Sequence, residues 1–247
     1  MSSYSTRPSP RLGRQTGRGK TLYQFKKPMR IFNSHKTIEI LAQFLPHNPT
    51  IVEAGAYDGR DTQKMVVQWP ECTIHAFEPL PEIYARLEKN TAHLPQVHRY
   101  PLALSDHDGT ALFYISERPS KPGIASQAGS LHAPKERLVH SPLIFPRTAS
   151  VKTIALETWA HEHAIQTIDL LWLDTQGHEL AIVQAAPNML PHIKVVLAEV
   201  SFIESYEGQP RYFDVVAWMT THGFEHVGRD FEDTTASFFG NALFVRK

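Results

Sequence analysis

The chain has 247 residues, 25 Lys and Arg against 25 Asp and Glu, a formal net charge of zero and 42% hydrophobic content. That length suits one domain with an appendage and is ample for a buried core. The single cysteine, Cys72, excludes an internal disulfide framework and a cysteine-based zinc cluster. No apolar run reaches the roughly 18–20 residues of a membrane span, so the expectation is a soluble, cytoplasmic protein.

The charge is unevenly spread. Residues 1–38 hold nine Lys or Arg and no acid, which leaves residues 39–247 at a net −9. The first 20 residues are rich in Ser, Pro, Gly and Thr. A segment of that kind buries too little apolar surface to offset its ordering entropy, so 1–36 is expected as a disordered basic tail ahead of one domain over 37–247. A nucleic-acid arm and an organelle transit peptide are the functional alternatives to a plain solvated tail.

After the tail, Ile38, Leu41, Ala42 and Leu45 recur at helical spacing until Pro46. Short β-rich runs then alternate with amphipathic stretches. Strands are expected at 50–54, 72–77, 97–104, 169–173 and 195–200, and helices at 61–69, 81–91, 156–164, 179–186 and 212–221. The alternation implies an α/β fold, a mostly parallel sheet covered on both faces. Residues 107–116 read as a glycine-turned hairpin arm, and 117–150, rich in Pro, Ser and Gly, as an irregular insert or lid. The C-terminal runs FEHVGRD and SFFGNALFVRK read as two strands of a hairpin, at least one of them antiparallel to the rest.

In such a sheet, ligands bind beyond the carboxyl ends of the strands. The first strand runs into Glu53, Gly55, Ala56, Tyr57, Asp58, Gly59, Asp61 and Thr62. The glycines allow a tight turn and a close ligand approach, while the acids would repel a pyrophosphate. That disfavours NAD and favours S-adenosylmethionine, a sulfonium nucleoside with an ammonium group. The second strand ends in Glu78 and Pro79, 23 residues beyond Gly55 in the case of Glu78. There the carboxylate either meets ribose hydroxyls or caps the next helix. Ser105 and Asp106 end the third strand, facing adenine or forming a turn.

The fourth strand leads into Asp174, His178 and Glu179, the catalytic candidates. Methyl transfer to a hydroxyl needs alignment and proton removal, with Asp174 or His178 as base and Glu179 orienting; helix capping is the alternative for Asp174 and Glu179. Glu199 is an acid inside an apolar run and must be paired or functional. His161 and His163 stand two apart on a helix and point away from one another, so no metal site is expected.

These motifs resemble the FkbM-family methyltransferases. The likeness rests on E-A-G-A-Y-D-G-R-D-T at 53–62, F-E-P at 77–79, A-L-S-D at 103–106, L-D-T-Q-G-H-E at 173–179, Y-E-G-Q-P at 206–210 and G-N-A-L-F-V at 240–245. The resemblance implies a class I, Rossmann-like S-adenosylmethionine-dependent fold. Its seven-stranded sheet is ordered 3-2-1-4-5-7-6, with an antiparallel C-terminal strand. It further implies that Glu53, Gly55, Asp58 and Gly59 line the methionine part of the cofactor, Glu78 the ribose, Ser105 and Asp106 the adenine side, and Asp174 the reacting methyl. His178 departs from the family, which commonly has a small residue there. The leading reading is O-methylation of a sugar or natural-product-like small molecule, with Ser126, Ser130, His132 and Lys135 of the insert supplying acceptor contacts. A nucleic-acid methyltransferase using the basic tail is one alternative, although the acidic core opposes phosphate binding. The other is a catalytically silent binding module.

Overall fold

A computed structural model describes residues 30–232 and 238–247. The expected tail therefore lies outside the described residues up to position 29. From Arg30 onwards the chain is placed: β1 (Arg30–Ile31) pairs in parallel with a C-terminal strand, and one 3-10 turn leads into α1 (Thr37–Leu41).

The elements then follow in the order β2 (Thr50–Ala54), α2 (Arg60–Gln68), β3 (Thr73–Phe77), α3 (Pro81–Thr91) and β4 (Val97–Tyr100). Next come β5 (Ala103–Ser105), β6 (Gly109–Arg118), β7 (Lys121–Ala125), α4 (Arg137–His140), β8 (Ile144–Ala155) and α5 (Leu156–Glu162). The chain closes with β9 (Ile168–Leu173), α6 (Glu179–Gln184), β10 (Ile193–Ser201), α7 (Tyr212–Thr221), β11 (Phe224–Arg229) and β12 (Phe239–Arg246).

The main sheet is ordered β1-β11-β12-β10-β9-β2-β3-β4, parallel throughout except for β12. Without the two-residue edge strand this is the seven-strand order implied by the family resemblance. Its core obeys the two-residue period of a strand. Val52, Leu171 and Val196 point to one face, against Trp159 of α5, Ile182 of α6 and Val216 of α7. Ile51, Leu170 and Val195 point to the other, against Leu41 of α1, Met65 of α2 and Leu87 of α3. Every residue of β9 is buried, as a central parallel strand requires.

Two expectations are corrected. The run 97–104 is not one strand: it leaves the main sheet at Pro101, which has no N–H for a ladder. Its second half, β5, joins β8. The segment 117–150 is not irregular throughout. It contributes β7 and the start of β8 to a four-stranded sheet ordered β5-β8-β6-β7, with the short helix α4 between them. Ile115 and Ala125 of that sheet pack with Leu80 and Ile83 at the entrance to α3, and Tyr57 and Phe113 join the same cluster. The second sheet therefore leans over the carboxyl ends of β2 and β3.

Candidate active site

The loop after β2 is shaped by its neighbours. Gly55 has φ +85°, and a Cβ there would stand 2.0 Å from the Asp174 carbonyl oxygen. Both constraints demand glycine, and the absent side chain brings the ends of β2 and β9 into contact. The Asp174 amide donates to Ala54 O at 3.0 Å, and the Gly55 and Ala56 amides both donate to Phe77 O, at 3.0 and 2.9 Å. Gly59 (φ +82°) caps α2 where a Cβ would meet Thr91 at 2.8 Å.

Beyond these strand ends lies a cavity of about 580 Å³, counting its open mouth. Ile83, Leu102, Leu104 and Phe113 form apolar walls; Glu78 and Asp174 supply carboxyl groups, and no basic side chain faces it among the described residues. Glu78 is buried, its Oε1 accepting from the Leu80 amide at 2.9 Å. Burial pushes its pKa up to about 8, against the lowering effect of the Leu80 and Tyr57 amides. Pro79, Gly55 and Tyr57 also line the cavity. Tyr57 holds a left-handed backbone (φ +50°), and its hydroxyl lies 3.4 Å from Ala125 O.

The loop after β9 is built around Gln176, itself left-handed at φ +56°. Its Nε2 donates to Asp174 Oδ1 at 2.7 Å and to Glu199 Oε1 at 2.8 Å, and its Oε1 stands 2.9 Å from the Tyr206 hydroxyl. One amide thus clamps two carboxyls. Burial pushes Asp174 up to about 6, partly offset by the Gln176 amide. Burial and the nearby Asp174 charge hold Glu199 well above the usual carboxylate range. Asp174 is then the member of the pair that ionises near neutrality, while Glu199 keeps its proton.

The remaining sequence candidates serve the frame and do not line the cavity. Glu53 is buried beneath the β2 loop, accepting from Thr62 Oγ1 at 2.6 Å, and burial pushes it to about 8. Asp58 pairs with Arg60 at 3.1 Å and Asp61 with Lys64 at 2.7 Å. Ala56 packs in the core. Glu179, one of the catalytic candidates, clasps its own loop by accepting from the Thr175 amide (2.8 Å) and the Gly177 amide (3.0 Å). His178, another, is also buried: its Nε2 is 3.0 Å from Ser105 Oγ and its Nδ1 is 2.9 Å from His132 Nε2. Burial lowers its pKa to about 4, a neutral latch and a poor base. Ser105 and Asp106, expected towards adenine, turn to His178 and His107 instead. Leu102, Ala103 and Leu104, just before Ser105, line the cavity in their place.

Of the four insert residues, Ser126 lines the cavity. Ser130 donates to Gln176 O at 2.7 Å, His132 meets His178, and Lys135 pairs with Glu204 at 2.7 Å. Sequence reasoning missed Gln176 and the wall residues Phe113 and Gln127. Gln176 had a signal, being a polar residue between a strand-end acid and a glycine. Phe113 and Gln127 had none, because nothing local marks a hairpin that folds over another sheet. Among the described residues no cluster of side chains could hold a metal ion.

The Methyltransferase FkbM domain model matches residues 53–226. The 2-O-methyltransferase NoeI of Sinorhizobium fredii (strain NBRC 101917 / NGR234) is 29% identical over 185 residues, covering 74% of this chain and 75% of that protein. Among solved structures, magnesium protoporphyrin IX methyltransferase (ChlM) from Synechocystis PCC 6803, with bound SAM, is 9% identical with a TM-score of 0.50, over 86% of this chain and 77% of that one. A putative rRNA-methylase from Clostridium thermocellum is 11% identical with a TM-score of 0.51, over 89% and 100%. At such identities the structural likeness speaks for the fold. The acidic cavity beyond β2, β3 and β9 suits a cationic adenosyl cofactor. Together with the family match, it makes this chain a member of the FkbM methyltransferase family and an S-adenosylmethionine-dependent methyltransferase.

Proposed function

We propose that the chain O-methylates a hydroxyl on a sugar or natural-product-like small molecule in the cytoplasm. The observation that carries this is the position of Asp174: at the end of the central strand, facing the cavity with Glu78, clamped by Gln176 and ionised above about pH 6. The similarity to a 2-O-methyltransferase points the same way.

S-adenosylmethionine supplies an electrophilic methyl on a sulfonium. The chain's own residues bind, orient and deprotonate. Glu78 offers its remaining lone pairs to two ribose hydroxyls. Ile83, Leu102 and Leu104 offer apolar faces to the adenine, and the Gly55–Tyr57 turn brings backbone close to the methionine part. Asp174 accepts the proton of the acceptor hydroxyl as that oxygen takes the methyl, and the clamp from Gln176 holds the carboxylate in one orientation.

Calorimetric titration with S-adenosylmethionine, S-adenosylhomocysteine and NAD tests the cofactor site. Saturable binding of the two adenosyl ligands and none of NAD is expected. A folded chain that bound neither adenosyl ligand would overturn this placement. Methyl transfer to a set of hydroxylated small molecules, followed by release of S-adenosylhomocysteine, then tests the acceptor class; transfer only to RNA would refute it.

A further inference from the structure

Beside the cofactor cavity lies a second cleft of about 1060 Å³, counting its open mouth, and the two share Tyr57, Ser126 and Gln127. Their linings are opposite in character. The acids Glu78 and Asp174 face the first without a base, whereas Arg118 and Arg137 face the second, with Ser120 and Ser141 and no carboxylate among the described residues.

Arg137, the first residue of α4, is buried with 7% of its surface exposed. Its guanidinium lies 4.4 Å over the Phe239 ring. Its Nε has no hydrogen-bond partner among the described residues. A buried cation with an unused donor is costly to fold around, so it calls for a function. Service as a counter-ion to the acidic loop does not account for it. Its charge lowers both Asp174 and Glu199 from a distance, yet neither carboxylate accepts from the buried Nε.

We propose that this cleft is the acceptor site and that Arg137 receives an anionic group of the acceptor: a phosphate, sulfate or carboxylate. The proposal rests on the reading of the first cavity as the cofactor site, and it narrows the substrate class to anionic, hydroxylated small molecules. A guanidinium fork matches the paired oxygens of all three groups. Arg118, exposed at the rim, adds long-range attraction. The serines and Gln127 offer hydroxyl and amide partners to a polyhydroxylated body. With the anion at Arg137, the rest of the acceptor extends towards the shared wall at Tyr57 and Ser126. The Asp174 carboxylate of the first cavity repels the same anion, so the polarity of the two clefts fixes which end of the acceptor faces the methyl.

The experiment titrates the full chain with inorganic phosphate, inorganic sulfate and glucuronate, with and without saturating S-adenosylhomocysteine, by calorimetry. Saturable binding of at least one anion is expected, and the tightest of the three identifies the group. Arg137→Met should weaken it by about tenfold or more and Arg137→Lys by less, with affinity for S-adenosylhomocysteine held within about threefold. Should Arg137→Met fail to fold, Arg118→Glu at the exposed rim reads the same site and should weaken the anion by about tenfold.

Absence of anion binding in a chain that binds S-adenosylhomocysteine would overturn the proposal. Anion binding indifferent to both arginines would do the same. A further contrast guards against the cofactor's own carboxylate as the occupant. If Arg137→Met weakened S-adenosylhomocysteine tenfold but spared 5′-methylthioadenosine, which lacks the amino-acid group, Arg137 would belong to the cofactor and the proposal would fall. Loss of adenosyl binding alone, with arginine-dependent anion binding intact, would count against the cofactor reading and for the anion site.

Discussion

Asp174 and Gly55 meet backbone to backbone, and each constrains the other. Replacing Asp174 by Asn keeps an oxygen for the Gln176 amide and removes only the basicity. Turnover should fall by about 10²–10⁴, the usual worth of a positioned general base, while affinity for S-adenosylhomocysteine changes little. In the wild-type enzyme kcat/KM should rise with pH through about 6, where Asp174 loses its proton. Gln176→Met removes the amide that lowers this pKa, so that limb should move to higher pH. A profile flat from pH 5 to 8 would mean that Asp174 is not the base. Gly55→Ala forces a Cβ against the Asp174 carbonyl in a backbone that L-residues avoid. It should cost several kcal/mol, of order 3–5, by clash and strain together, seen as a lowered melting temperature even without cofactor.

At the scale of elements, the wiring between the two sheets decides how firmly the site is held. Ser130 Oγ donates to Gln176 O and accepts from the His132 amide, at 2.7 and 2.9 Å, and is buried. Ser130→Ala should therefore cost about 1–3 kcal/mol and speed amide hydrogen exchange across 126–132 and 174–178 together. Unchanged protection in both segments would show that the hairpin is held by packing alone. The same wiring explains what could be read from the sequence. The central strand β9 announces itself as an unbroken apolar run, and α3 and α7 by their helical periodicity, because each pattern is local. The hairpin sheet does not. β8 is largely exposed or half-buried and contains Pro146, and its partners β5 and β6 lie far upstream: Leu104 pairs with Ile154, 50 residues on, and Phe113 with Ala149, 36 residues on. The site divides in the same way. Glu78 and Asp174 stand out as acids at strand ends. The roles of His178 and Glu179 depend on where their side chains turn, towards Ser105 and back onto the loop, and no spacing in the sequence records that.

At the scale of the molecule, burying so many acids makes stability depend on pH in a definite direction. Glu53 and Glu78 are raised to about 8, Glu179 to about 7 and Asp174 to about 6, and Glu199 is raised as well, in each case chiefly by burial. The folded chain therefore holds protons that the unfolded chain, with ordinary carboxyls, releases above about pH 4–4.5. Where the native state binds more protons, stability falls as pH rises, here up to about pH 8. Buried His75, His178 and His226 work the other way: lowered to about 4, they stay neutral while the unfolded chain protonates below about pH 6.5. The two sets oppose one another between about pH 4.5 and 6.5, and only the carboxyls act above that. With five carboxyls against three imidazoles, the melting temperature of the cofactor-free chain should thus fall gently from pH 5 to 6.5 and more steeply from 6.5 to 8.5, by about 2–4 °C for each kcal/mol lost. S-adenosylhomocysteine changes the slope. On the proposed placement, two ribose hydroxyls donating to Glu78 would favour its ionised form, so the ligand should displace a proton and stabilise more at pH 8 than at pH 6. A melting series with and without this ligand checks both limbs. A melting temperature that rose from pH 6.5 to 8.5 without ligand would mean the buried acids are already ionised in the native state. The apolar setting of the cavity would then be far wetter than its walls imply.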